Sequence, residues 1–132
     1  MAIFDVEGYR VAPAICYDLR FPALFLKCAE KGVDAFLVPA QWPHPRCRQL
    51  QVLLQARAIE CQCYLALSNR VGSDGGGTRF CGGSRIVDPI GTVRDGFQEG
   101  VDGRSPLLQS LPFLSREQFL TQDRNPAVDS FC

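Results

Sequence analysis

The sequence predicts an α/β fold, a sheet covered on at least one face by helices. Three observations carry that prediction. Short apolar runs with almost no polar alternation read as buried strands. Two segments with helical spacing of apolar residues separate those runs. The resulting order is β-α-β-α-β followed by β-β, which fits helices packed on a sheet. At 132 residues the chain has the length of one domain.

The first strand is expected over Tyr9 to Cys16, mostly apolar with β-branched members. Phe21, Leu24, Phe25 and Cys28 follow at i, i+3, i+4 and i+7, one face of a helix. Pro22 suits its first turn and Gly32 the position just past its end. Asp34 to Val38 reads as the second strand. Pro39-Ala-Gln-Trp-Pro43 is expected to be a loop, because two prolines break regular structure. A longer helix, free of Gly and Pro, is predicted over Arg46 to Ile59, with Leu50, Leu53, Leu54 and Ala58 on one side. Cys63 to Ser68 is the third strand. The glycine-rich stretch from Arg70 to Arg79 is a loop. Gly83 to Asp88 and Thr92 to Arg94 form a hairpin around Pro89-Ile90-Gly91. Gly100 to Ser105 is polar and glycine-rich, and Leu107 to Leu120 has a mixed apolar pattern, suited to a short helix or a docking arm.

Composition narrows the function classes. Fourteen basic residues balance fourteen acidic ones and are scattered, so no field attracts nucleic acid or an anionic membrane. No apolar run approaches the ~20 residues that span a bilayer. The first residues lack the basic and apolar regions of a signal peptide, and the expected compartment is the cytosol. Of the seven cysteines, all but Cys16 are expected to be small buried hydrophobes kept reduced. With a single His and no Cys-x-x-Cys pair, a metal site is not expected.

Cys16 ends an apolar run and precedes Tyr17, Asp18 and Arg20. The carboxyl end of a strand is where α/β proteins place reactive groups, and nearby cationic charge favours a thiolate. Position alone leaves two readings open, a nucleophile and a buried core cysteine.

A longer pattern separates them. Cys16-Tyr-Asp-Leu-Arg-Phe-Pro22 is followed in order by Pro39-Ala-Gln-Trp-Pro43, Ala56-Arg-Ala-Ile-Glu60, Ser68-Asn-Arg-Val-Gly72 and Gly83-Ser-Arg-Ile-Val-Asp-Pro89. This series, from about Phe4 to Val93, resembles the nitrilase superfamily of carbon–nitrogen hydrolases, and within it the omega-amidase-like branch. The resemblance implies an α-β-β-α sandwich and a Glu-Lys-Cys triad. The Cys attacks an amide or nitrile carbon, the Glu takes the thiol proton, and the Lys holds the oxyanion. It further implies that Cys16 is the nucleophile, that the Tyr17 N–H donates to the oxyanion, and that the Pro39 to Pro43 loop with Trp42 borders the substrate pocket. No metal or organic cofactor is implied. The expected partner is a small amide, an ω-amide of a dicarboxylic acid.

The same resemblance implies that the triad's Glu and Lys precede the nucleophile, yet the residues before Cys16 contain Glu7 and no Lys. Glu7 falls at the turn before the nucleophile strand and does not match the base. Residues 1–94 therefore read as the carboxy-terminal half of a nitrilase-type catalytic domain, with 95–132 as an irregular tail in which Leu111-Pro-Phe-Leu114 resembles the family's end. Little or no turnover is expected of such a half alone. Its uncovered apolar surface predicts self-association, a homo-oligomer, or a complementing amino-terminal half. A non-catalytic interaction module of the same fold is the alternative.

The remaining candidates support the site. Asp18 and Arg20 are expected to orient the nucleophile loop by a charged hydrogen bond. Glu60, late in an apolar helix, is expected to be a buried carboxylate in a structural ion pair near the site. Trp42 is read equally as a pocket wall and a packing residue. His44, between Pro43 and Pro45, is the base of a less favoured Cys-His scheme. The loop from Gly72 to Gly77 lacks the Lys-Ser/Thr ending of a phosphate loop.

Overall fold

The computed structural model describes residues 1–96. Six strands form one mixed sheet in sequential order: β1 (Phe4–Val6), β2 (Tyr9–Pro13), β3 (Ala35–Ala40), β4 (Tyr64–Asn69), β5 (Arg85–Val87) and β6 (Val93–Gly96). β2, β3 and β4 are mutually parallel, and the flanking pairs are antiparallel. The crossovers are α1 (Pro22–Ala29) between β2 and β3, and α2 (Cys47–Cys61) between β3 and β4.

Two parallel connections through helices require each helix to lie on a face of the sheet. Here α1 and α2 pack against each other on the same face, and α2 also contacts β4 and β5. Alternation then decides which strand residues are buried. Phe36, Val38, Leu65, Leu67 and Val87 meet the helices and are at most 4% exposed. The Phe25 ring of α1 lies 4.8 Å from that of Phe36. On the opposite face Leu37 is 48% exposed, and Val11, Pro13, Ala66 and Ile86 share that face through the pairings Pro13↔Leu37, Leu37↔Ala66 and Ala66↔Ile86.

The predicted β-α-β-α-β-β series is present, with β1 added ahead of it. A two-residue turn at Glu7 and Gly8, with φ of 52° and 85°, joins β1 to β2. Two successive positive φ values match the twist of a tight hairpin, so Glu7 stands at a turn, as expected.

Two predicted strand ends shift, and one helix face narrows. The first strand stops at Pro13, and Cys16 opens a 3-10 turn spanning Cys16–Arg20. β3 runs through Pro39 instead of ending before it. Leu37 O accepts from Ala14 N on the β2 side, and Ala40 O accepts from Arg70 N on the β4 side. By alternation Pro39 faces the β2 side, beyond the last pair with β2, where no donor is needed. In α1, Phe25, Cys28 and Ala29 point inward, whereas Phe21 is 50% and Leu24 37% exposed. The buried stripe is therefore narrower than the apolar spacing suggested.

α2 begins after a 3-10 turn at His44–Arg46 and buries Leu50, Leu54, Ala58 and Cys61. It ends on Gln62 in the left-handed conformation. The β5–β6 connection needs glycine at position 91. There φ is +86°, and a Cβ would stand 2.7 Å from Ile59 Cδ1. Asp88 holds the same turn, its carboxylate accepting from Ile90 N, Thr92 N and Arg94 Nε at 2.5–3.1 Å.

The cysteines depart from expectation at one pair. Cys28, Cys61 and Cys63 are buried and outside any disulfide, but Cys47 and Cys81 form one; Cys132 lies outside the described residues. The pairing joins residues 34 apart in sequence whose Cα atoms are 5.6 Å apart, a proximity no local pattern reveals. No helix among the described residues is long and apolar enough to cross a membrane. The predicted tail segments beyond Gly96 lie outside the described residues.

Candidate active site

The 3-10 turn at Cys16 is built from its own sequence. Asp18 Oδ2 accepts the Ile15 N–H at 2.8 Å, while Asp18 N donates to Ile15 O at 2.8 Å. These reciprocal bonds close the turn's entrance, as a capping box does for a helix. Leu19 points into the core at 0% exposure and anchors the turn from below. Arg57, buried in α2, reaches across to donate from Nε to Leu19 O at 3.1 Å. Its Nη1 pairs with Glu60 Oε2.

Cys16 itself has φ +43°. Among the described residues three non-glycines lie at positive φ, and two have structural reasons: Glu7 makes a hairpin turn and Gln62 ends a helix. Cys16 does neither. The left-handed region costs an ordinary residue about 1–2 kcal/mol, and such strain collects at functional sites. The conformation raises a half-buried, unbridged thiol at the carboxyl ends of the parallel strands.

An open cavity of about 630 Å³ lies at that place. Its walls are Ile15 and Cys16 from the turn, Pro39, Ala40 and Gln41 from the end of β3, and Ser68, Asn69 and Arg70 from the end of β4. The parallel pairings Pro39↔Ser68 and Ala40↔Asn69 bring the two strand ends side by side. Asn69 is buried and braces the rim: its Oδ1 accepts from Trp42 N at 2.9 Å and its Nδ2 donates to Gly82 O at 2.8 Å. The Cys47–Cys81 bridge ties the same rim to the start of α2, and Cys81 N donates to Trp42 O.

The matches to known proteins fall on this same stretch. The profile of the carbon–nitrogen hydrolase family covers residues 1–103. The chain belongs to the carbon–nitrogen hydrolase family. It is 46% identical over 91 residues to the omega-amidase YafV of Escherichia coli, covering 69% of this chain and 35% of that protein. It is 41% identical over 100 residues to the 2-oxoglutaramate amidase of Bacillus subtilis, covering 74% of this chain and 38% of the relative. Among solved structures it is similar to a nitrilase-superfamily amidase from Nesterenkonia, captured with acrylamide added at its active-site cysteine. There the TM-score is 0.71 at 28% identity, over 98% of this chain and 47% of that one. The chain thus spans under half the length of these relatives, within the omega-amidase-like branch of the nitrilase superfamily.

Within this family frame, the predicted residues separate into groups. Cys16 lines the cavity, and Tyr17 follows it in the turn with its ring 59% exposed and 5.9 Å from that of Phe21. Asp18 and Arg20 do not act as the expected charged pair but take different partners. Asp18 caps the turn, and Arg20 donates to Gln49 Oε1 at 2.8 Å, with its guanidinium 5.2 Å from the ring centres of both Tyr17 and Trp42. The motif suggested a shared orienting role, but in the turn the two side chains take separate partners.

Trp42 is 2% exposed and donates from Nε1 to Arg46 O. It belongs to the packing, and the pocket wall expected of it is supplied by Gln41. Glu60 forms an ion pair as expected, but its own side chain is 46% exposed, and the buried member is Arg57. His44 is exposed and lies outside the cavity lining. The residues missed in sequence are Arg57, Asn69, Arg70 and Gln41. The last three stood in quoted motifs at strand ends, which was the available signal. Arg57 reaches the turn only through the tertiary fold. Among the described residues no cluster of His, Cys, Asp or Glu could hold a metal ion.

Proposed function

We propose that these residues form the nucleophile side of an amidase site that hydrolyses small ω-amides of dicarboxylic acids. The observation that carries the reading is Cys16: a free thiol held at positive φ in a self-capped turn, at the mouth of a cavity. Support comes from the family match and from the Nesterenkonia relative, whose active-site cysteine takes up acrylamide.

In this reading the Cys16 thiolate attacks the amide carbon and the carbonyl oxygen becomes an oxyanion. The Tyr17 N–H, near the start of a helical turn where backbone donors lack internal acceptors, points its dipole to that charge. Ammonia leaves, a thioester remains on Sγ, and water hydrolyses it. Asp18 and the Arg57–Glu60 pair position the turn without touching substrate. The base and the oxyanion cation, a Glu and a Lys by family resemblance, come from chain beyond this one. Residues 1–94 then act as one half of a catalytic domain.

The decisive experiment measures ammonia release from an ω-amide by the chain joined to its complementing amino-terminal half, with and without Cys16→Ala. Loss of at least 1,000-fold in the variant is expected, since removal of a covalent nucleophile leaves only binding and oxyanion contributions. Equal activity in both rejects the assignment. The second reading, a non-catalytic module of the same fold, is favoured by the absence of any carboxylate or Lys from the described cavity lining. It predicts no ammonia from either protein.

A further inference from the structure

We propose that Arg70 receives the far carboxylate of the substrate and makes the Cys16 cavity selective for half-amides over neutral amides; this rests on Cys16 being the nucleophile. Arg70 is the one charged side chain among the described residues that line the cavity. Its backbone is fixed on both sides, the N–H donating to Ala40 O at 2.9 Å and the carbonyl accepting from Gly82 N at 3.0 Å. Its guanidinium lies 4.5 Å from the centre of the Phe80 ring, which backs the planar group with an aromatic face.

That backing leaves the edge of the guanidinium for recognition. A guanidinium offers five N–H donors. Arg70 spends them on two neutral oxygens at long range, Gln41 Oε1 at 3.3 Å and Ser73 O at 3.4 Å. Both bonds steer the group and leave its charge to a stronger acceptor. The neighbouring carboxylate, Asp74, does not take that role. Its oxygen Oδ1 accepts from Gly76 N and Thr78 N at 3.0 and 2.8 Å, and Arg70 is only the last of the influences that lower its pKa. A planar, pinned and charged fork on a wall shared with the thiol matches a carboxylate bound through two parallel bonds. The cavity volume also lies in the range of small-molecule sites.

The test uses the chain as it stands and reads alkylation of Cys16 rather than turnover. Cys28, Cys61 and Cys63 are buried and Cys47 is bridged to Cys81, and peptide mapping separates an adduct at Cys16 from one at Cys132. The probes are 4-iodobutyrate and its neutral amide, 4-iodobutyramide. The reacting carbon of each stands three bonds from the carboxyl carbon, as the amide carbon does in a four-carbon half-amide. The expected ratio of acid to amide rates, divided by the same ratio for glutathione, is about tenfold, the size of one charge-assisted hydrogen bond. Arg70→Met should return it to about one, and Arg70→Lys should keep part of it. A wild-type ratio equal to that of glutathione overturns the proposal without any variant, and so does a ratio unchanged in Arg70→Met. Failure of both reagents to label Cys16 in the folded chain overturns the nucleophile reading and this inference with it.

Discussion

Phe36 and Leu37 are neighbours on β3, yet one is 0% and the other 48% exposed. They stand for the two faces of the sheet. The helix-covered face has a packed core, a buried arginine that reaches the Cys16 turn, and side chains seated between layers. The other face is an apolar surface with no layer over it among the described residues. Cohesion therefore comes from one side of the sheet. An apolar face of this kind is where a second layer packs in a sandwich, and the proposed mechanism calls for a base and an oxyanion cation that the described cavity lining does not hold. Under that proposal one complementing half would both cover the bare face and deliver those groups.

The strongest way to break this contrast is to truncate each neighbour. Phe36→Ala is expected to lower stability by about 3–5 kcal/mol, because it empties a filled core. Leu37→Ala should stay within about 0.5 kcal/mol. Urea unfolding of both variants compares them, and similar losses would mean that the outer face is already buried by self-association. Sedimentation at rising concentration separates that case, since Leu37→Ala would then also shift the association equilibrium.

Next in size is the disulfide, which asks how much the rim adds to the core. Closing a loop across a separation of 34 residues restricts the unfolded chain by about 3–4 kcal/mol. Cys47→Ala should lower the urea midpoint accordingly, with a steeper slope, because the unfolded chain freed of the cross-link exposes more surface. A loss under about 1 kcal/mol would show that the rim is held by its hydrogen bonds.

A smaller effect, opposite in sign, is expected at Cys16. Cys16→Gly relieves the positive φ, whereas Cys16→Ala retains it. The glycine variant should be about 1 kcal/mol more stable than the alanine one in thermal unfolding. Equal stabilities would remove the strain argument.

The smallest concerns Asp74. The backbone N–H of Thr78 is the chief cause of its lowered pKa. A carboxyl whose folded pKa lies below its unfolded value contributes stability above the ordinary range near 4, and loses it as pH falls through the folded value. Asp74→Asn should therefore narrow its gap from the parent as acid is added, in melts run from pH 6 to pH 2. A constant gap would assign the effect to the turn's shape instead of its charge.

The sequence was most legible where function and fold share a local pattern. Helical spacing placed α2 to within two residues, and the motif from Cys16 to Pro22 identified the turn that lines the cavity. It was least legible where partners meet only in three dimensions. Arg57 acts on a carbonyl 38 residues away, and the two bridged cysteines lie outside the quoted motifs, with nothing in the local sequence to link them. Trp42 shows a subtler limit. A tryptophan in a proline-rich loop has the same sequence signature whether its ring faces ligand or core, and only the bond from Nε1 to Arg46 O decides it. Glu60 was placed in its ion pair but on the wrong side of the surface, because a late position in an apolar helix does not tell which partner is buried.

Pro39 gains significance from its position in β3. Two parallel strands zip together until a donor is missing. Here the zipper between β2 and β3 stops at Pro13↔Leu37, two residues short of the proline. The chain after β2 is released at that point to fold into the Cys16 turn, while β3 continues beside β4 to Ala40↔Asn69. The cavity occupies the gap left where one seam ends before the other. A ring that cannot donate a hydrogen bond thus acts as a spacer, and the opening above the thiol is an unfinished seam in the sheet.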